Sequence, residues 1–271
     1  MAVESIHRWL GEAAGLGFVP VPLAALDGRT LHERGGRLWD VSPWLTGVSD
    51  SDVPPGPSRL RAGFAALAAF HQSLRSDRTR GPSPGLNARL REFEALLGGG
   101  FTSLDGVVDR ASGDPLAPLA ARWLTLARWT APRLVGPLRR DAGRVVALQP
   151  CLRDARPEHV LFEGDRVTGL VDFGAMGIES VAADLARLLT AWVGPDRAAR
   201  AEALRAYAAV RPLDDPETAL MDAFGTTSAV LGAGHWVRWH FAEGRAFEDP
   251  GAVERGIRLG LDRLAELTAT R

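Results

Sequence analysis

The chain has 271 residues, 46% of them hydrophobic, which is enough to enclose a full core in one large domain or two lobes. Its 32 basic residues are balanced by 33 acidic ones, a formal net charge of −1, so no global field favours nucleic acid or an anionic membrane surface. A single cysteine, Cys151, excludes an internal disulfide framework and a multi-cysteine zinc site, and fits a reducing compartment.

Glu4, Arg8 and Glu12 break up the first fifteen residues, so no secretory leader is expected there; no run is long enough to span a membrane, and a cytoplasmic location follows as the expectation. Val3, Ile6, Leu10 and Ala13 or Ala14 share one face of an expected amphipathic helix that stops at Gly15 and Gly17, with Glu4 and Glu12 on its solvated side. Residues 18–26, interrupted by Pro20 and Pro22, read as an edge or extended strand. Residues 30–34 and 37–41 flank Gly35-Gly36, the pattern of a tight hairpin. Trp39 and Trp44 are expected in the core or in cross-strand packing. A loop rich in Gly, Pro and Ser follows over 46–58.

Beyond it the pattern is mostly helical. Phe64, Leu67, Ala68, Phe70 and Leu74 line one face of a helix over 60–74, on which His71 reads as a core histidine. A helix over 86–97 is expected to end at Gly98-Gly99-Gly100, and one over 116–138 to kink or break at Pro132. Further helices are expected over 181–192, 197–210, 216–231 and 251–267. His235, Trp236, Trp239 and His240 read as a packed aromatic stripe, since the two histidines are not at the spacing of a helical metal site.

The chemistry concentrates between Arg144 and Gly174. An apolar run over 145–148 ends at Pro150, and two β-rich segments, 160–162 and 167–171, face each other across Glu163-Gly164-Asp165-Arg166, a hairpin pattern. Asp154 precedes the hairpin and Asp172 follows it, so both carboxylates can reach one mouth. Alone, each is more often a loop cap or a turn acid. Together they suit phosphoryl transfer, in which one acid orients or deprotonates a hydroxyl and another holds the metal that neutralises nucleotide phosphates. Cys151 beside them reads as a small buried residue, not a nucleophile.

The order Leu152-Arg153-Asp154, His159, Val160-Leu161-Phe162, a hairpin and Asp172-Phe173-Gly174 resembles the catalytic and metal loops of the aminoglycoside phosphotransferase and choline kinase family, relatives of the protein kinases. The resemblance extends through Glu179 to Leu189, where that family places a helix whose buried Asp, here Asp184, braces the catalytic loop. It implies an α+β, protein-kinase-like bilobal fold with a truncated small β lobe over 1–45 and a mainly helical lobe over 46–271 that carries the catalytic hairpin at 144–174. It implies Asp154 as catalytic base, Asp172 as metal ligand with His159 in the second-ligand position, and a nucleotide-binding hinge at Pro43, Trp44 and Leu45. ATP and Mg²⁺ are the implied cofactors, and a nucleotide and a small-molecule substrate the implied partners, with no nucleic acid or membrane; the oligomeric state is not implied.

Four departures stand beside the match. The family reads His-Gly-Asp where this chain has Leu152-Arg153-Asp154, and an Asn where it has His159. Every basic residue is Arg, so no Lys is present to hold nucleotide phosphates. By the resemblance, Met1 falls in the middle of the small lobe, after a glycine-rich phosphate loop and its Lys strand. Three readings follow: an ATP-dependent phosphotransferase, a degenerate pseudokinase-like binding or scaffolding protein, and a metal-assisted hydrolase using the same two acids.

Overall fold

In the computed structural model residues 3–50, 53–75 and 79–269 are described; Met1, on which the expectation of an upstream segment rests, and residues 51–52 of the 46–58 loop lie outside them. The chain gathers into two compact units, one of Met1–Gly81 with Val145–Met221, the other of Pro82–Arg144 with Asp222–Arg271.

The first unit opens with helix α1 (Val3–Glu12), whose buried residues are His7, Trp9 and Leu10, followed by buried Ala13. Glu4 and Glu12 are exposed, as expected, but Val3 and Ile6 are only half-buried. His7 takes the place expected of an apolar residue because both ring nitrogens are bonded, Nδ1 to Thr30 Oγ1 (2.8 Å) and Nε2 to Asp40 Oδ2 (2.9 Å). Residues 18–26 form no strand. Pro20 and Pro22 lack the N–H groups a ladder needs, and the segment instead makes single bonds, Leu170 N–H to the Phe18 carbonyl and Leu23 N–H to the Val41 carbonyl, each 2.8 Å.

Strands β1 (His32–Arg34) and β2 (Arg37–Trp39) form the expected hairpin, with Gly35 and Gly36 at φ 62° and 70°, a turn geometry that glycine adopts without a Cβ clash. Trp39 faces His32 across this pair but is 55% exposed, and Trp44 is 92% exposed, so the core placement expected for them is wrong. A ribbon whose residues are all exposed or half-exposed has no inner face to hold an indole.

The 46–58 loop contains a strand that its composition hides. Strand β3 (Val48–Ser49) pairs antiparallel with β7 (Val160–Glu163), which pairs with β8 (Arg166–Leu170) to give the expected hairpin, bulged between Leu161 and Phe162. Gly47, at φ 126°, permits the approach, since a Cβ there would lie 2.5 Å from Thr168 Oγ1 and 3.0 Å from the Phe162 carbonyl. Helix α2 (Pro57–Ser73) buries Leu60, Phe64, Leu67, Ala68 and Phe70. Strand β4 (Arg80–Gly81) pairs with β5 (Val146–Ala147), and β6 (Gln149–Cys151) with β9 (Gly177–Glu179). Helices α6 (Ala182–Trp192) and α7 (Arg197–Ala208) follow.

In the second unit, helix α3 (Pro84–Ala95) starts at Ser83, whose hydroxyl accepts the Leu86 N–H. The glycine triplet does not end the helical run: a wide turn over Leu96–Gly100, with Gly99 at φ 124°, redirects it into α4 (Phe101–Arg110). Helix α5 (Ala117–Ala142) continues through Pro132 and Pro137, so the expected break at Pro132 does not occur; its buried face, including Trp123, Leu124, Ala127, Ala131, Leu134 and Leu138, supplies the packing that offsets the lost backbone bonds. Helix α8 (Asp215–Val237) begins in the first unit and continues here, ahead of α9 (Ala252–Ala269). The stripe near its end is half-buried: Trp236 and Trp239 both pack on Phe247, while His235 bonds Glu92 (2.6 Å) and His240 bonds Asp114 (2.7 Å). Among the described residues no helix is long and apolar enough to cross a membrane.

Candidate active site

Asp184 sits in the first turn of α6 and is fully buried. Its Oδ2 accepts the Leu152 N–H and its Oδ1 the Arg153 N–H, both at 2.7 Å. His71 adds a third bond, Nε2 to Oδ2 at 3.0 Å, and its Nδ1 meets the Tyr207 hydroxyl at 2.8 Å. Burial lowers the His71 pKa against the opposing pull of Asp184 and, with nearby carboxylates, keeps the Tyr207 hydroxyl protonated. The assignment that satisfies every atom is a neutral imidazole accepting from Tyr207 and donating to Asp184. Cys151 lies within this group, but burial pushes its thiol pKa up and Sγ donates to the Glu179 carbonyl at 3.3 Å, so it is neither a nucleophile nor a poised ligand. The ligand atoms of His71, Cys151 and Asp184 lie within 4.8 Å of one another, yet Asp184 already receives three N–H groups, which makes the cluster a brace and not a metal cage.

The brace has a backbone consequence. Arg153 is held at φ 64°, a conformation that costs a residue with a Cβ about 1–3 kcal/mol and persists where neighbours over-determine it. The two N–H bonds to Asp184, from the consecutive peptide links on either side of the Leu152 Cα, supply that constraint. Asp154 follows on the exposed side. Both Arg156 Nε (2.9 Å) and Arg187 Nη2 contact its Oδ1, and among the described residues its Oδ2 has no partner. Arg156 also reaches Glu158 (3.4 Å). These side chains are all at least a quarter exposed, so each ion pair contributes on the order of 0–1 kcal/mol.

A single helical turn over Pro157–His159 brings His159 back under the loop, with Nδ1 2.9 Å from the Asp154 carbonyl and Nε2 3.4 Å from Asp172 Oδ2. Asp172, at φ 59° and with its side chain 61% exposed, is the second non-glycine residue in the left-handed region among the described residues, a conformation aspartate tolerates better than most. Phe173 anchors the turn by packing on Phe70 at 5.7 Å, and the pairing of Cys151 with Gly177 ties the segment after Asp172 back to the strand before Asp154. Asp154, His159, Asp172 and Asp184 are thus one assembly.

The expected hinge residues lie along the hairpin and not among these acids. Leu45 packs on Gly169 of β8, where a Cβ would meet it at 3.1 Å, and Thr168 Oγ1 donates to the Thr46 carbonyl at 2.6 Å. Pro43 and Trp44 are exposed. Sequence reasoning missed Arg156, Arg187 and Tyr207. Arg187 carried a usable signal, because it stands three residues after Asp184 on one helix and so shares its face.

A loop acid braced from beneath by a buried aspartate, a hairpin and then a second acid define a kinase-like phosphotransferase fold. An aminoglycoside phosphotransferase structure from Alicyclobacillus acidocaldarius superposes with a TM-score of 0.72 at 16% identity, covering 98% of this chain and 81% of that one. A structure of the amicoumacin kinase hAmiN in complex with AMP-PNP, Ca²⁺ and Ami gives 0.62 at 13% identity, covering 97% and 76%. The model of the phosphotransferase enzyme family matches residues 1–221, and the chain belongs to that family. Among curated relatives it is 32% identical to a homoserine kinase of Gluconacetobacter diazotrophicus over 211 residues, 73% of this chain and 57% of that protein. A homoserine kinase of Acidiphilium cryptum is 31% identical over 209 residues, with the same two shares, so the chain spans just over half the length of these relatives.

Proposed function

We propose that this chain transfers a phosphoryl group from ATP to the hydroxyl of a small molecule, with Asp154 as the base for that hydroxyl and Asp172 and His159 as the metal-holding pair. The observation that carries this reading is the one imidazole that joins the two acid loops. His159 Nδ1 faces a carbonyl, which can only accept, so Nδ1 carries a proton and Nε2 is the ring atom turned toward Asp172 Oδ2. Nε2 and Oδ2, 3.4 Å apart, can hold one proton or one cation between them. One imidazole and one carboxylate fit Mn²⁺ readily, and fit Mg²⁺ when it keeps its waters and takes phosphate oxygens as well. The ion would supply charge neutralisation on the nucleotide phosphates.

The chain's own residues do the rest. Asp184 fixes the Leu152–Arg153 link, which sets the direction of Asp154, and the unpartnered Oδ2 of Asp154 is the atom available to take the hydroxyl proton. Residues 1–45, ending on Pro43, Trp44 and Leu45, form the adenine side in this reading, and 46–271 the catalytic side. The relatives named homoserine kinase make a small hydroxylated amino acid the first acceptor to test. Nucleic acid and membrane are not expected partners, and the setting is cytoplasmic. The absence of lysine favours a second reading, a pseudokinase-like binder that holds nucleotide without transferring phosphate.

A coupled assay of ADP release with homoserine and a panel of small alcohols tests the proposal. Turnover is expected with at least one acceptor, and Asp154→Asn should lower kcat by about 10²–10⁴-fold. Turnover that survives Asp154→Asn intact removes the assigned base. Nucleotide binding without turnover on any acceptor supports the binder.

A further inference from the structure

We infer that Arg156 and Arg187, with Arg153 beside them, form an oxyanion-binding site at the catalytic loop, and that Asp154 fills it only until a phosphate or carboxylate arrives. The inference rests on the phosphotransfer reading for the identity of the anion, not for the existence of the site. Arg156 and Arg187 converge on one atom, Asp154 Oδ1, although they come from different elements, the loop before Pro157 and helix α6. Two guanidiniums on one oxygen of Asp154 repel each other, and that carboxylate, tethered to the loop, engages both through Oδ1 alone. A free anion can spread its oxygens over the two planar forks, a carboxylate by giving one to each and a tetrahedral phosphoryl group by presenting three.

The local charge points the same way. At the surface Arg153, Arg156 and Arg187 stand against Asp154 and Glu158, with Asp184 buried beneath, and among the described residues the Arg153 side chain makes no ion pair. All of these groups are exposed enough for the present pairs to exchange readily. The chain has no lysine, so a planar guanidinium pair is the cation set it has to offer an oxyanion beside Asp154. When the anion takes Arg156 and Arg187, Asp154 is released from both cations. Arg156 and Arg187 are binding residues in this scheme. Two anions share the required chemistry, the terminal phosphate of a nucleotide and an anionic group on the acceptor.

Calorimetry on the full chain at low ionic strength separates the cases, using inorganic pyrophosphate, AMP, AMP-PNP and 3-hydroxybutyrate as probes. Wild type should bind pyrophosphate or the hydroxy acid, and Arg156→Gln and Arg187→Gln should each weaken that binding by about tenfold or more. Arg61→Gln, which removes a distant exposed guanidinium paired with Glu202, should change nothing. If the nucleotide is the source, the preference for AMP-PNP over AMP falls in both variants while AMP affinity holds; if the acceptor is, only 3-hydroxybutyrate binding is lost. Melting temperatures within a few degrees of wild type, together with partial recovery in Arg187→Lys, rule out simple misfolding. Pyrophosphate binding that depends on the two arginines, in a protein that ignores adenine nucleotides, would keep the site and reject the phosphotransfer reading. Wild type binding none of the probes, or the double variant binding all of them normally, would overturn the inference.

Discussion

Asp184 is the residue on which the loop that carries Asp154 depends. A carboxylate with no solvent exposure is tolerable here because both oxygens are bonded, by two backbone N–H groups and one imidazole. Asp184→Ala leaves the Leu152 and Arg153 donors unpaired in the interior, and should cost about 1–3 kcal/mol in chemical denaturation with loss of any activity. The partner His71 adds a pH dependence. Its pKa is lowered by burial, so the unfolded chain binds the proton more readily than the folded one. Stability is then complete above the unfolded value of about 6.5 and falls as pH drops below it. The melting temperature of wild type should decline on acidification from pH 7 to 5 more steeply than that of His71→Gln. At His159, substitution by Asn replaces the imidazole with an oxygen ligand, so His159→Asn should strengthen Mg²⁺-dependent nucleotide binding. An unchanged affinity would make the imidazole a packing group.

At the scale of elements, the first unit depends on close approach between α2, the catalytic hairpin and α6. Phe64 and Phe162 both pack on Trp192, with ring centroids 6.0 and 6.1 Å apart. Gly63 makes room for that indole, since a Cβ there would fall 2.5 Å from Trp192 Cζ3. Gly63→Ala should therefore destabilise by about 1–3 kcal/mol through overpacking, seen as a lower denaturant midpoint with an unchanged slope. The sequence revealed the hairpin because strand alternation and turn chemistry are both local, and it revealed α2 because one apolar face repeats at helical spacing. It concealed β3 and β9, which are two and three residues long and exist only because distant strands pair with them. It misled at the Gly98–Gly100 triplet, where positive φ at Gly99 redirects a helix without ending the run, and left a break open at Pro132, where packing carries the helix past the missing backbone bond.

At the scale of the whole molecule, the acids of the candidate site were legible because they fall within one stretch of chain, from Leu152 to Asp184. What surrounds them was not. Tyr207 reaches His71 across 136 residues of sequence and His7 reaches Asp40 across 33, contacts that no spacing rule encodes. Arg156 and Arg187 are two of 32 arginines, and although Arg187 shares a helix face with Asp184, only folding places both on Asp154. The central claim is that this arrangement receives a nucleotide with its metal. Its most direct test is titration of the purified chain with ATP, with and without Mg²⁺ or Mn²⁺, alongside Asp172→Ala. The account predicts binding that the divalent ion strengthens in wild type, with that strengthening lost in Asp172→Ala; ATP binding indifferent to both the ion and Asp172, or absent altogether, would contradict it.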